Sequence, residues 1–415
     1  MGPAIPIRQV RALPDEDPAT LANTRIPFRL TANRRFDRDR PYGEAERAIL
    51  SLSRGAAARR AIESWPGYRP TPLRSLRGLA ASVGLGALYF KDESERFGLN
   101  SFKALGGAYG VQRVLARETN GPTDVSRLVV TCATAGNHGR SVAWGAEMFG
   151  CRCAVYVPAV ASPARVAAIA AHGAAVSRLP CNYDEAVRRC DHDARRQGRF
   201  VVSDTSYPGY LQVPRDVMQG YSVMVAEILE QLPHGDPPSH VFVQGGVGGL
   251  AAAVCANLWE TWGDERPRTV VVEPDSADCL FRSAMAGRPT PVPGDYDTIM
   301  AGLAAGEVSL LAWKILEHGA DWFMTIPDAA AEAAMRILAD GAAGDRPIVA
   351  GESGAAGLAG ALAALHEPKA RRQLRLRSDS MLLIIGTEGA TDPQSYSRIV
   401  GRAPDSVRSS SSGGT

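Results

Sequence analysis

Residues 127–139 read RLVVTCATAGNHG. A run of β-branched and apolar residues gives way at once to small and polar ones, with glycines at 136 and 139 around Asn137 and His138. That pattern predicts a buried strand over 127–132 entering a tight turn that opens a helix. The arrangement recurs at 240–250, HVFVQGGVGGL, and the run MLLIIG at 381–386 enters a further turn, TEG. Another glycine turn, GESGA at 351–355, opens a helix. Outward from these turns, short β-branched runs alternate with alanine-rich stretches. Strands are predicted over 87–91, 127–132, 154–157, 176–179, 199–202, 240–244, 269–273 and 381–386. Helices are predicted over 101–117, 139–149, 163–172, 183–197, 250–262, 329–338 and 355–366. Such alternation predicts an α/β fold, with mostly parallel sheets flanked by helices and right-handed crossovers. Ligands in these sheets bind beyond the carboxyl ends of the strands, so the strand-to-helix turns should carry the chemistry.

The chain has 415 residues, 45% of them hydrophobic, and 46 basic against 44 acidic side chains give a formal charge of +2. That length leaves room for two domains and a sizeable core. The near balance of charge argues against nucleic acid or an anionic membrane as the main partner. Seven scattered cysteines without a CxxC pair read neither as a disulfide framework nor as a zinc site, and no metal is expected. The first residues, MGPAIPIRQVRALPDEDP, lack the apolar core of a signal peptide, and no uncharged apolar run approaches the roughly 18 residues that span a bilayer. A cytoplasmic location is expected. Residues 1–45, rich in proline and arginine, read as an extension packed on the body, and 401–415 as a disordered tail.

A strand, then glycines, then a helix start makes an anion site, because free N–H groups and the helix dipole point outwards. The turn Gly245, Gly246, Val247, Gly248 and Gly249 fits that description. It also matches G-x-G-x-x-A, with Glu273 ending the next strand as a nicotinamide-binding fold requires, and a plain turn is equally compatible. Context has to decide, and lysine supplies it. Only four lysines are present, Lys91, Lys103, Lys314 and Lys369. Lys369 falls in a basic surface stretch, Lys314 in a helical pattern where it snorkels, and Lys91 beside Asp92 and Glu93, where ion pairing is expected. Lys103 follows Asn100 and Ser101, either of which can cap a helix starting there. In a first turn the helix dipole is expected to lower its pKa, which suits a Schiff-base lysine.

At this point the residues carry a resemblance. The segment KDES at 91–94 through RFGLNSFK at 96–103 resembles the lysine segment of pyridoxal-phosphate enzymes related to tryptophan synthase β and threonine dehydratase, and more narrowly of diaminopropionate ammonia-lyases. TAGNHGR, SDTSYPGY ahead of MQGY, QGGVGG, IMAGLAAGE, GESGAAG and GTEGATDP follow in that family's order, over roughly residues 65–400. The resemblance implies a two-domain, fold-type II enzyme (tryptophan synthase β-like) with pyridoxal 5'-phosphate between the domains. The large domain would comprise 46–108 and 225–400, the small one 109–224, and the assembly would be a homodimer.

It further implies that Lys103 carries the cofactor, that the turn 245–249 cradles the phosphate, that Asn137 meets the phenolic oxygen and that Thr387 meets the pyridine nitrogen. Thr134, Ala135, Gly136 and His138 would receive the substrate carboxylate. His138 reads equally as a residue fixing a helix start. The cluster Asp191, His192 and Asp193 lies in a charged helical stretch and reads as a solvated face. Asp204, ending the strand RFVVS, is the acid/base candidate beside Lys103. The implied reaction is α,β-elimination of the amino acid 2,3-diaminopropionate to pyruvate and ammonia, with Lys103 as base toward the L-isomer. Two positions depart from the family pattern: Ala135 replaces the aspartate of T-D-G-N-H, and Ala390 the first aspartate of T-E-G-D-T-D. The first change should remove most activity toward the D-isomer. Together they leave open a serine/threonine-type dehydratase or a β-replacement synthase, since fold resemblance constrains reaction class better than substrate.

Overall fold

In the computed structural model, described over residues 26–119, 124–134 and 136–412, eleven strands form two sheets. The strands are β1 (Arg29–Ala32), β2 (Leu73–Ser75), β3 (Ala87–Asp92), β4 (Val129–Ala133), β5 (Arg152–Pro158) and β6 (Ala175–Leu179). They continue as β7 (Phe200–Val201), β8 (His240–Gln244), β9 (Arg268–Pro274), β10 (Trp322–Ile326) and β11 (Met381–Gly386). The larger sheet runs β1-β10-β9-β8-β11-β3-β2, parallel except for its two antiparallel edge strands. The smaller runs β6-β5-β4-β7 and is wholly parallel. The expected α/β architecture is present.

The eight predicted strands all occur, the one at 199–202 shortened to two residues. Three others escape the sequence pattern. β1 and β2 are short, half-exposed edge strands without an apolar run, and β10 follows directly on the helix Leu310–Gly319. The longest helix, Gln212–Gln231, carries Pro214 and Gly220, which break its pattern on paper. Pro214 sits in the first turn, where a missing N–H costs nothing. Gly220 and Gly106 let this helix cross Lys103–Glu118 closely: a Cβ on Gly220 would lie 2.4 Å from the Leu105 carbonyl oxygen. The domain edges expected at 108/109 and 224/225 therefore fall inside two continuous, packed helices. Residues 1–25 of the expected extension lie outside the described residues, whereas 29–32 join the larger sheet. The tail expected to be disordered carries the helix Pro404–Ser412, with Val407 buried in the core. Its few apolar residues are enough because they meet an existing apolar surface.

Helices Gly249–Trp262 and Ala356–His366 are apolar almost all round, as befits helices buried against a sheet. Among the described residues, no helix is long and apolar enough to cross a membrane.

A buried ionic cluster ties the larger sheet to helix Gln212–Gln231. Lys91, Glu93, Arg96 and Glu227 are each at most 1% exposed. Lys91 donates to Glu227 and to the Thr71 carbonyl, both at 2.7 Å. Arg96 donates to both oxygens of Glu227 (2.8 and 2.7 Å) and to both of Glu93 (2.8 Å each). Lys91 is thus ion-paired as expected, although its partner is remote in sequence. Burial works against the Glu227 carboxylate, but Arg96 and then Lys91 hold its pKa below the ordinary value. Glu227→Ala leaves the two cations to one carboxylate, and unfolding by denaturant should show a loss of about 3–5 kcal/mol. A loss below about 1 kcal/mol, the worth of an exposed pair, would show that the cluster is not a structural tie.

Candidate active site

The carboxyl ends of β3, β8 and β11 in the larger sheet and of β4 in the smaller open onto one cleft. β3 leads through a pinned loop to Lys103, the first residue of its helix. The Ser101 hydroxyl accepts from the Lys103 N–H at 3.3 Å, and Phe102 N–H donates to the Thr387 carbonyl at 3.0 Å, so the loop is hung on the turn after β11. Phe97 and Asn100 in this loop adopt left-handed φ of 52° and 57°. Phe97 is held there by ring contacts with Trp144 at 4.9 Å and Trp65 at 5.9 Å.

Lys103 Nζ donates to Asp204 Oδ2 in a short contact, and the rings of Phe102 and Tyr221 lie 5.2 and 5.5 Å from the ammonium. Tyr183 donates its hydroxyl to the other Asp204 oxygen at 3.2 Å. Burial alone would lower the lysine pKa, but the Asp204 charge overrides it and holds Lys103 above its ordinary value. The expectation of a helix-lowered pKa is thereby corrected: a full charge in contact outweighs the partial charge of a helix start. Asp204 itself is pushed up by burial, yet His138, Lys103 and the Lys103 and Tyr183 hydrogen bonds bring it well below the usual carboxylate range. His138 is buried, and burial lowers its pKa. Its Nε2–H donates to the Val202 carbonyl at 2.8 Å, which leaves Nδ1 facing Asp204 at 3.8 Å.

The turn after β8 is built for a close ligand. Gly246 and Gly248 take left-handed φ of 61° and 97°, and a Cβ on Gly245 would lie 2.5 Å from Glu273 Cγ. Helix Gly249–Trp262 starts here, and the N–H groups of its first turn have no partner within the helix. Glu273 turns inward, accepting from the N–H groups of Leu280 (3.0 Å) and Phe281 (2.7 Å), with burial raising its pKa to about 8. It is therefore not available to a ribose, and the nicotinamide reading falls.

The predicted residues Lys103, Thr134, Gly136, Asn137, His138, Asp204, Gly245, Val247, Gly249 and Thr387 all line this cleft, with Gly246 and Gly248 in the same turn. Ala135 lies outside the described residues. Asn137 donates its amide to Glu388, whose carboxylate also accepts from Ser353 N–H at 3.1 Å and from the Thr391 hydroxyl at 3.3 Å. Sequence reasoning missed Arg165, Tyr183, Gln244, Ser353 and Glu388, which also line the cleft. Glu388 belongs to the motif GTEGATDP, where a carboxylate directly after Thr387 is the signal that could have found it. Arg165 and Tyr183 sit at helix starts with no distinguishing local pattern. Asp191 and Asp193, by contrast, are occupied away from the cleft by Tyr207 (2.8 Å), Arg195, Tyr156 (3.1 Å) and Arg189.

An amine, a glycine cradle at a helix start and a neutral hydroxyl facing one cleft fit pyridoxal phosphate, and fold and site together define a fold-type II pyridoxal-phosphate enzyme. A family model described as pyridoxal-phosphate dependent enzyme matches residues 64–386. The diaminopropionate ammonia-lyase of Escherichia coli strain K12 is 39% identical over 368 residues, 85% of this chain and 92% of that one. Its counterpart from Salmonella typhimurium LT2 is 38% identical over 390 residues, 88% and 96% of the two chains. The crystal structure of the Escherichia coli enzyme with an aminoacrylate-PLP azomethine reaction intermediate superposes with a TM-score of 0.84 at 36% identity, covering 90% of this chain and 97% of that one. The chain belongs to the diaminopropionate ammonia-lyase family and is a pyridoxal-phosphate-dependent lyase.

The geometry makes the charge on Lys103 depend on Asp204. In Asp204→Asn the raised lysine pKa should fall, so that cyanate labels Lys103 at lower pH than in the wild-type apo-protein, as read by peptide mass spectrometry. Identical labelling profiles would show that Asp204 does not hold the lysine proton.

Proposed function

We propose that this chain converts L-2,3-diaminopropionate and water to pyruvate and two molecules of ammonia. The observation that carries this reading is the buried Asp204 carboxylate, kept ionised and in contact with an ammonium inside the cleft. Pyridoxal phosphate, when bound, supplies the electron sink that makes the α-proton of an attached amino acid acidic. Lys103 would hold the cofactor through Nζ, and its amine, when free, would take the α-proton of the L-isomer. The first-turn N–H groups after Gly245–Gly249 receive the phosphate, the second N–H of the Asn137 amide the phenolic oxygen, and Thr387 the ring nitrogen. Thr134 and the backbone of 136–138 take the substrate carboxylate.

With Nζ engaged elsewhere, Asp204 loses its cationic partner. The second ammonium of diaminopropionate replaces it, and a carboxylate facing an ammonium stays ionised, which favours ion pairing over proton donation by Asp204 before departure. A β-ammonium leaves as ammonia without needing a further proton, so holding it is the task. Support for L-selectivity comes from position 135, where this sequence carries alanine and the family motif T-D-G-N-H an aspartate. Domains expected at 46–108 with 225–400 and at 109–224, closure of the smaller over the substrate to exclude water, a homodimer and a cytoplasmic location complete the reading.

The second reading, a dehydratase or β-replacement synthase acting on a neutral β-leaving group, draws on the same alanines; Ala390 is buried in the core and brings no charge to the site. Purified holoenzyme incubated separately with L- and D-2,3-diaminopropionate should form pyruvate from the L-isomer alone. Equal activity on both would overturn the account of Ala135. Absence of pyruvate from either, with turnover of serine or with an added thiol, would install the second reading. Lys103→Ala should abolish turnover, and Asp204→Asn, which removes the carboxylate that holds the β-ammonium, should lower kcat/KM by about 10- to 100-fold.

A further inference from the structure

The proposed function gives the substrate carboxylate to the 134–138 turn and leaves one charge in the cleft without a task. Arg165 stands in the first turn of helix Pro163–Ala170, on the smaller lobe, and lines the cleft with Lys103 and Asn137. Its methylenes cover Gly136: a Cβ built there would lie 3.0 Å from Arg165 Cδ and 3.6 Å from Nε. The side chain is 12% exposed, its methylenes packed on the turn while the guanidinium faces the cleft. Its one ionic contact among the described residues is Glu352 at 3.8 Å, beyond hydrogen-bond range. A guanidinium offers five donors, and none of them makes a hydrogen bond to Glu352 at that distance. Burial and then the neighbouring Glu388 raise the Glu352 pKa, and Asp392, whose carboxylate Arg165 helps to hold below its ordinary value, is the other acid near the guanidinium. The other basic groups lining the cleft are spoken for. Asp204 takes Lys103, and burial disfavours the charged form of His138.

We propose that Arg165 binds the α-carboxylate of the substrate, adding a full positive charge to Thr134 and the backbone groups of 136–138. The assignment rests on the reading that this turn receives the carboxylate. The planar fork of arginine matches a carboxylate in a two-point contact that lysine does not reproduce. The bare backbone of Gly136 gives the side chain room to lie over the turn. A merely structural arginine, tying the lobes together through Glu352, is the rival that a test has to separate.

Ethylenediamine is 2,3-diaminopropionate without its carboxylate. Holoenzyme mixed rapidly with each amine, followed by cofactor absorbance before turnover, gives affinity with and without that group. Arg165→Gln should weaken L-2,3-diaminopropionate by about 10- to 100-fold and leave ethylenediamine unchanged. KM should rise more than kcat falls, Arg165→Lys should recover part of the affinity, and Glu352→Gln should leave both ligands near wild-type behaviour. Equal weakening of the two ligands, no weakening of either, or a Glu352→Gln variant that reproduces Arg165→Gln would overturn the assignment. Wild-type enzyme responding to neither amine would refute the substrate reading and this assignment with it. Wild type that responds to both, beside an unaltered Arg165→Gln, would refute Arg165 alone.

Discussion

The buried cluster of Lys91, Glu93, Arg96 and Glu227 is the constraint on which the site depends. Two cations and two carboxylates withdrawn from water are tolerable only if each satisfies the others, and their distances of 2.7–2.8 Å meet that condition. Three of the four belong to the chain between the end of β3 and the helix that begins with Lys103. The fourth belongs to the helix that crosses it. The loop delivering the cleft's lysine is therefore fixed at its root by charge, along its length by the aromatic contacts of Phe97, and at its tip by the Thr387 carbonyl. Left-handed φ at Phe97 and Asn100 persists because the surroundings over-determine it.

That rigidity brings a lysine and an aspartate 101 residues apart into contact. Lys103 arrives from the larger sheet, whereas Asp204 follows β7 of the smaller one. Each perturbs the other in the direction that keeps it charged, against burial that opposes both charges. On the proposed reading, a carboxylate that already stabilises one ammonium in the cleft would receive the second ammonium of the substrate. The glycine turn after β8 leaves the first N–H groups of its helix without a partner in the helix, and its neighbour Glu273 is turned away into the protein.

Much of this was legible. All eight predicted strands occur, and ten of the predicted site residues line one cleft, because strand, glycine and helix start are local signals in a parallel sheet. Edge strands β1 and β2 were not legible, since their pairing is decided by a neighbour and not by their own composition. Helix Gln212–Gln231 was hidden by Pro214 and Gly220, which tertiary packing turns into a first-turn proline and a close crossing. The helix at 404–412 was hidden by its polarity, and one buried valine docks it. Arg165 and Tyr183 reach the cleft only because the smaller sheet faces the larger.

The amino-acid sequence by itself determined the class of fold, the glycine turns and the short list of lysines, because these follow from periodicity, φ freedom and residue type over a few neighbouring positions. The tertiary structure decided the charge states. A lysine at a helix start has a lowered pKa in isolation and a raised one against Asp204. A glutamate ending a strand reads as a ribose ligand until its carboxylate is found capping two buried N–H groups. Electrostatic character depends on which charges come within a few ångströms and how much water is excluded, and both are properties of contacts between residues far apart in the chain.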